Sequence, residues 1–190
     1  MLVVFDMDGT LVESSELHAI TFAQVFRENG FPDGIEQVQD MKGHSELFII
    51  QTITGTGLDQ AKEILDAKVK LFLNGLGKIK EMPDATHLLQ ELKNKGHRLA
   101  LATSSTRKEA DAILKQFGWY DMFDAIITMD DVIEQKPKPE MLNKIAEQLG
   151  PISWMIGDSP RDREMAKAAG VPVLILGAEL NQLLDFLDRI

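Results

Sequence analysis

The chain has 190 residues, 44% of them hydrophobic and 26% charged, with no cysteine. That composition is ordinary for a folded protein with one sizeable core, and it excludes disulfides and thiolate metal centres. A formal net charge of −10 disfavours a nucleic-acid partner, and no apolar run approaches the ~20 residues of a membrane span. Asp6 and Asp8 interrupt the opening apolar run, so no secretory signal is expected. The expectation is a cytoplasmic protein with neither a membrane nor an obligate protein partner.

The first element is a buried strand over Leu2–Asp6, which runs into Met7-Asp8-Gly9-Thr10-Leu11. Parallel strands read as continuous apolar runs, and α/β proteins place their chemistry at the carboxyl ends. Two carboxylates spaced i, i+2 at such an end repel each other in a partly desolvated site, so a cation is needed to neutralise them. Asp and Gly are also common turn residues, and this run alone leaves a plain acidic turn open.

After the loop come three stripes at helical spacing. Leu17, Ile20, Phe22, Val25 and Phe26 precede Asn29-Gly30, and Leu47, Ile50 and Ile53 precede Gly55. Leu58, Ala61, Leu65, Val69 and Phe72 precede Asn74-Gly75. A βαβ unit needs only ~30 residues, far fewer than separate Asp6 from the next strand. The extra residues read as an inserted helical unit. The expected division is therefore a core over residues 1–12 and 81–190 and an all-helical unit over 13–80. The inserted unit is placed to fold over the loop and exclude water.

Beyond the insertion, helices and strands alternate: helix Pro83–Lys95, strand Arg98–Thr103, helix Lys108–Phe117 and strand Ala125–Thr128. Helix Pro139–Leu149, strand Ser153–Gly157, helix Arg161–Ala169 and strand Pro172–Leu176 complete the series. This alternation argues an α/β protein with a doubly wound parallel sheet.

Three later segments fall where that sheet would put loops. Thr103-Ser104-Ser105 offers hydroxyls and backbone N–H groups for an anion, although Ser and Thr before a helix also serve simply as caps. In Lys136-Pro137-Lys138-Pro139 the prolines restrict where the lysines point. Asp158 ends a strand and Asp162 follows four residues later, an arrangement that capping acids would also give.

Together these segments resemble the haloacid dehalogenase superfamily over nearly the whole chain. The resemblance rests on the Asp-x-Asp-Gly-Thr loop, the Thr at the second strand, the Lys before Pro-x-Pro and the Gly-Asp-Ser-x-x-Asp segment, all in order. It implies a Rossmann-like core with a helical cap, and phosphoryl transfer aided by Mg²⁺ on a small phosphorylated metabolite. Asp6 would be the nucleophile and Asp8 the acid and base. Thr103 and the Ser104 N–H would hold the phosphoryl oxygens, and Lys136 would neutralise them together with Asp6. Asp6, the Asp8 carbonyl and Asp158 would hold the metal, with Asp162 acting directly or through water. Charges then balance if Asp8 is neutral, because Asp6, Asp158 and Asp162 face Lys136 and a divalent ion.

Within that family, Asp8 argues against dehalogenases and phosphonatases, which depart from Asp there. Glu16-Leu17-His18 and Lys42-Gly43-His44-Ser45 resemble cap segments of sugar-phosphate members, including β-phosphoglucomutase. That mutase has an arginine where Glu46 stands, which favours a phosphatase acting on phosphoglycolate or a sugar phosphate over a mutase. His18 and Lys42 are expected to approach the leaving group, and substituting either should alter discrimination among phosphate esters more than Mg²⁺ affinity. A histidine on a half-buried helix is otherwise a structural residue. Receiver modules that store phosphate on an Asp share the clustered acids and Lys, but they lack both Asp8 and the insertion.

Overall fold

The computed structural model describes residues 1–176. Residues 177–190, part of the expected core range, lie outside the described residues. In chain order the elements are β1 (Leu2–Phe5), β2 (Val12–Glu13), α1 (Ser15–Glu28), α2 (Ile35–Asp40), α3 (Glu46–Thr54) and α4 (Leu58–Asn74). There follow β3 (Lys80–Glu81), α5 (Ala85–Asn94), β4 (Arg98–Ala102), α6 (Arg107–Gln116) and β5 (Ala125–Ile127). The last are α7 (Glu140–Leu149), β6 (Trp154–Gly157), α8 (Pro160–Ala169) and β7 (Val173–Ile175).

Five strands form one parallel sheet in the order β5-β4-β1-β6-β7. β1 is central, with Val4 paired to Ala100 on one side and Met155 on the other. Successive side chains of a strand point to opposite faces, and the core follows that rule. Val3 and Phe5 pack with Leu88, Leu89 and Ile113 of α5 and α6. Leu2 and Val4 pack with Leu142, Ile145 and Met165 of α7 and α8. Both faces are covered, so the strands are apolar throughout, as a doubly wound sheet requires. Chain order reverses direction at β1, and such switch points open a crevice at the carboxyl ends.

The segment between β2 and β3 is helical and has its own apolar cluster, which includes Phe22, Phe26, Val38, Ile50 and Ile64. Its two connections to the sheet are tied together, since Val12 pairs with Glu81 and Glu13 with Lys80 in a small antiparallel ladder. Two stripe members differ from expectation. Ile20 and Leu58 are exposed rather than core. Ile20 lies about 200° round α1 from Phe22, on the outer face, and Leu58 is the first residue of its helix. Helix α2 was not foreseen. It has six residues of which only Val38 is buried, too short a stripe for periodicity to reveal.

Leu101 sits fully buried in β4, next to its last residue. Leu101→Ala should cost about 2–5 kcal/mol, the lost transfer energy plus a cavity. Urea unfolding should show a lower midpoint with an unchanged slope, and a loss of a few tenths of a kcal/mol would contradict this placement of the core.

Candidate active site

Four loops at the carboxyl ends of β1, β4, β5 and β6 converge beside the switch point. The β1 loop is a tight turn in which the N–H groups of Thr10, Leu11 and Val12 all donate to the Met7 carbonyl. Gly9 has a φ of +84°, and a Cβ there would collide with Asp158 Oδ2 and Lys42 Nζ. Only glycine lets this turn pass so close to the acids.

Asp6 is buried, and Lys136 Nζ donates to its Oδ1 at 2.7 Å and to Asp162 Oδ1 at 2.7 Å. Lys138 is exposed, so only the lysine before the first proline reaches the site. Asp162 is also the N3 residue of the α8 capping box, accepting from the Ser159 N–H at 3.1 Å and the Ser159 hydroxyl at 2.5 Å. Both of its oxygens therefore have protein partners. Asp158 differs. Its Oδ2 meets Lys42 Nζ at 2.5 Å, while its Oδ1 is buried and finds no hydrogen-bond partner among the described residues. Ligand atoms of Asp6, Asp158 and Asp162 lie within 4.8 Å of one another. Burial holds the Asp6 carboxyl well above its usual range. The Lys136 charge opposes this, and the charges of Asp162, Asp158 and Asp8 reinforce it. An orphaned carboxylate oxygen in an all-oxygen, electron-rich cluster fits a hard divalent cation.

Asp8 was expected to be neutral, and here it is ionised. Burial opposes this, but hydrogen bonds from His18, Ser105 and Ser14, with the His18 charge, hold it well below the usual carboxylate range. Ser14 Oγ donates at 2.5 Å, Ser105 Oγ at 2.6 Å and His18 Nε2 at 3.2 Å. Burial and the Lys68 charge oppose protonation of His18, yet its contacts to Asp8 and Glu46 outweigh them and push its pKa up to about 9. The His18 charge now enters the balance. Asp6, Asp8, Asp158 and Asp162 face Lys136 and His18, and a divalent cation closes the remaining difference.

Thr103 and Ser104, the expected phosphoryl contacts, follow directly on β4. The Thr103 hydroxyl is fully buried and directed at Asp8 Oδ2, 3.3 Å away. The Ser104 hydroxyl donates to the Gly43 carbonyl at 3.0 Å, a contact between the β4 loop and the helical segment. Ser104 and Ser105 line a cavity of about 280 Å³ whose walls also include Asp6, Asp8, His18, Lys42 and Asp158. Lys42, expected to approach the leaving group, lines this cavity and meets Asp158.

Sequence reasoning missed a buried charge cluster behind His18. Lys68 is completely buried, its ammonium paired with Glu46 and, at 2.7 Å, with Glu109 of α6. His18 Nδ1 lies 3.1 Å from Glu46 Oε1. One signal was present. Lys68 falls at the four-residue spacing between Ile64 and Phe72, inside the apolar stripe of α4. Glu109 reads from sequence as a capping acid, and it does complete the Thr106 capping box.

The sequence profile described as haloacid dehalogenase-like hydrolase matches residues 3–176. The chain belongs to this family. A phosphoglycolate phosphatase of Rhodobacter capsulatus is 30% identical over 91% of this chain and 82% of that protein. The protein CbbY of the same organism is 29% identical over 97% and 88%. The crystal structure of CbbY from Rhodobacter sphaeroides in complex with phosphate superposes with a TM-score of 0.81. It has 26% identity and covers 95% of this chain and 88% of that one. This haloacid dehalogenase-like hydrolase is thus a phosphatase enzyme with the Rossmann-like core of its relatives. No helix among its described residues is long and apolar enough to cross a membrane.

The His18 shift has a defined pH signature. A group whose folded pKa is raised to about 9 contributes stability that is complete below its unfolded value of about 6.5 and lost as pH rises through 9. In metal-free protein, the stability advantage of wild type over His18→Gln should therefore shrink between pH 6.5 and 9. Imidazole ¹⁵N shifts should show His18 still protonated at pH 8, and titration near 6.5 would refute the pairing.

Proposed function

We propose that this phosphatase hydrolyses a small phosphomonoester through an aspartyl-phosphate on Asp6, with Asp8 and His18 handling the leaving-group proton. The observation that supports this most is the shared cavity. Asp6 and Asp8 project from one turn into it, with Lys136 2.7 Å from the Asp6 oxygen. An Asp6 oxygen attacks phosphorus while the bond to the leaving oxygen breaks. His18 Nε2 passes its proton to Asp8 along their 3.2 Å contact, and Asp8 hands it to the leaving oxygen. A water deprotonated by the same pair then attacks phosphorus, breaks the bond to Asp6 and restores the carboxylate. Lys136 orients Asp6 and offsets charge on the phosphoryl oxygens.

Asp6, Asp158 and the Asp8 carbonyl would hold Mg²⁺, with Asp162 bound directly or through water, and the ion would supply Lewis-acid polarisation of the phosphoryl group. We assign residues 13–80 the role of a lid on a core of residues 1–12 and 81–190. Three contacts support it: Lys42 with Asp158, Gly43 with Ser104, and His44 with Arg161. Closure of this kind excludes water and sharpens the electrostatics of the reaction.

Phosphate release with Mg²⁺, and its loss on full chelation, is the direct test. Asp6→Asn should abolish turnover with little loss of stability, because the amide keeps the shape of the side chain but not its nucleophilicity. Beryllium fluoride should label Asp6 in the wild type. Covalent phosphate on any other residue would overturn the assignment.

Lys42 leads to a separate prediction, in which its substitution acts on the metal as well as on substrate choice. Its ammonium contacts Asp158, a proposed ligand, so the two cations compete. The side chain is half exposed, which weakens the contact. Lys42→Ala should lower the Mg²⁺ concentration for half-maximal activity by roughly two- to tenfold, on the scale of an exposed ion pair. An unchanged or raised value would place Lys42 elsewhere.

A further inference from the structure

Behind His18 the helical segment and the sheet meet through buried charge. Lys68 has no exposure, and its ammonium faces Glu46 Oε1, Glu109 Oε1 at 2.7 Å and His18 Nδ1 at 2.8 Å. Phe22 and Phe72 flank it, with ring centroids 4.9 and 4.7 Å from the nitrogen. A buried charge is tolerated only when it is paired and hydrogen-bonded. Two carboxylates meet that need, one from each side of the seam: Glu46 belongs to the helical segment and Glu109 to α6.

Glu109 is itself fixed at both oxygens. Its Oε2 accepts from the Thr106 hydroxyl at 2.7 Å and the Thr106 N–H at 3.3 Å. Thr106 follows Ser105, whose hydroxyl donates to Asp8 Oδ2 at 2.6 Å. His18 Nε2 meets the other oxygen of Asp8 at 3.2 Å, and its Nδ1 lies 3.1 Å from Glu46 Oε1. The contacts close a ring that runs from Asp8 through His18, Glu46, Lys68, Glu109 and the Thr106–Ser105 turn back to Asp8. His18 rides on α1, so its distance from Asp8 depends on how the helical segment seats on the sheet. The buried Lys68–Glu109 pair fixes that seat, whereas the Lys108–Asp66 pair across the same seam is exposed and adds little.

We propose that Glu109 is a positioning residue: through Lys68 and Glu46 it holds the His18 ring on Asp8, although it lies outside the cavity wall. This rests on the phosphatase reading above, and within it on the Asp8–His18 pair. Without the Glu109 charge, Glu46 is the single carboxylate left to Lys68. The ammonium is drawn onto Glu46 Oε1 and competes there with His18 Nδ1, so the ring loses the contact that aims Nε2 at Asp8. Glu109→Gln isolates this effect, because glutamine also serves in a capping box. With its amide oxygen engaged by Thr106, its NH₂ group faces the ammonium and the pair is lost.

The test compares kcat/KM, which reads the steps up to departure of the leaving group, for two classes of ester. Glucose 6-phosphate and phosphoglycolate need a proton on the leaving oxygen, whereas p-nitrophenyl phosphate releases a stable phenolate that needs none. In Glu109→Gln with Mg²⁺, the ratio of the better alkyl ester to p-nitrophenyl phosphate should fall about tenfold, part of the ~10²–10⁴ that a positioned acid supplies. Both rates are read on one preparation, so a change in the amount of folded protein cancels. His18→Gln should lower the ratio at least as far. The double variant His18→Gln/Glu109→Gln should go no further than His18→Gln, because residues acting through one network are not additive. If Glu109→Gln is unstable, Lys68→Met/Glu109→Gln removes both charges, a replacement that buried pairs often tolerate, and the same fall is expected. A ratio unmoved by loss of the Glu109 charge, or losses that multiply in the double variant, would overturn the role of Glu109 and leave the phosphatase reading intact. A ratio unmoved in His18→Gln would remove the part played by His18 and this proposal with it. Failure to release phosphate from any of these esters would remove the phosphatase reading as well.

Discussion

Four carboxylates crowd the carboxyl ends of β1 and β6, and their mutual repulsion is the constraint on which the rest of the site depends. Asp6 and Asp8 follow β1, and Asp158 and Asp162 follow the adjacent β6, the last on the first turn of α8, so strand pairing and the start of that helix bring them together. Burial makes each charge more expensive and each attraction stronger. The protein answers with cations delivered from elsewhere in the chain. Lys136 arrives on the β5 loop, His18 on α1 and Lys42 on the turn after α2. Each meets one part of the cluster: Lys136 meets Asp6 and Asp162, His18 meets Asp8, and Lys42 meets Asp158. The orphaned Asp158 oxygen marks where the answer is incomplete without a metal.

The same electrostatics bind the helical segment to the sheet. Lys68 of α4 reaches Glu109 of α6 with no exposure at either side chain. Breaking such a buried pair from one side costs several kcal/mol, because the remaining charge stays buried. Through Glu46 and His18 the cluster continues to Asp8, so the proposed proton-handling residue and the seam between the two parts share one hydrogen-bonded chain. The ladder between β2 and β3 ties the two crossings of the chain side by side. The helical segment is thus held at its base by backbone pairing and at the cavity by ion pairs.

Much of this was legible in the residues. The α/β alternation and the four motif segments are local patterns, and each strand and helix expected for the core lies within a few residues of its expected bounds. Hydrophobic periodicity works there because both sheet faces are covered and every helix presents one long stripe. It failed at α2, whose stripe is too short, and at Ile20 and Leu58, where an apolar residue sits on an outer face. The choice between Lys136 and Lys138 followed from motif position and agrees with the buried lysine.

The sequence by itself determined which acids stand at the strand ends and that cations must meet them, since the run from apolar strand into acidic loop is a local property. Only the tertiary structure decided which cation meets which acid. Lys42 on Asp158, His18 on Asp8 and Lys68 between Glu46 and Glu109 join residues far apart in the chain, and their pairing depends on how helices cross. It also decided the protonation of Asp8, because burial and three converging donors set it, and none of these can be read from the order of residues.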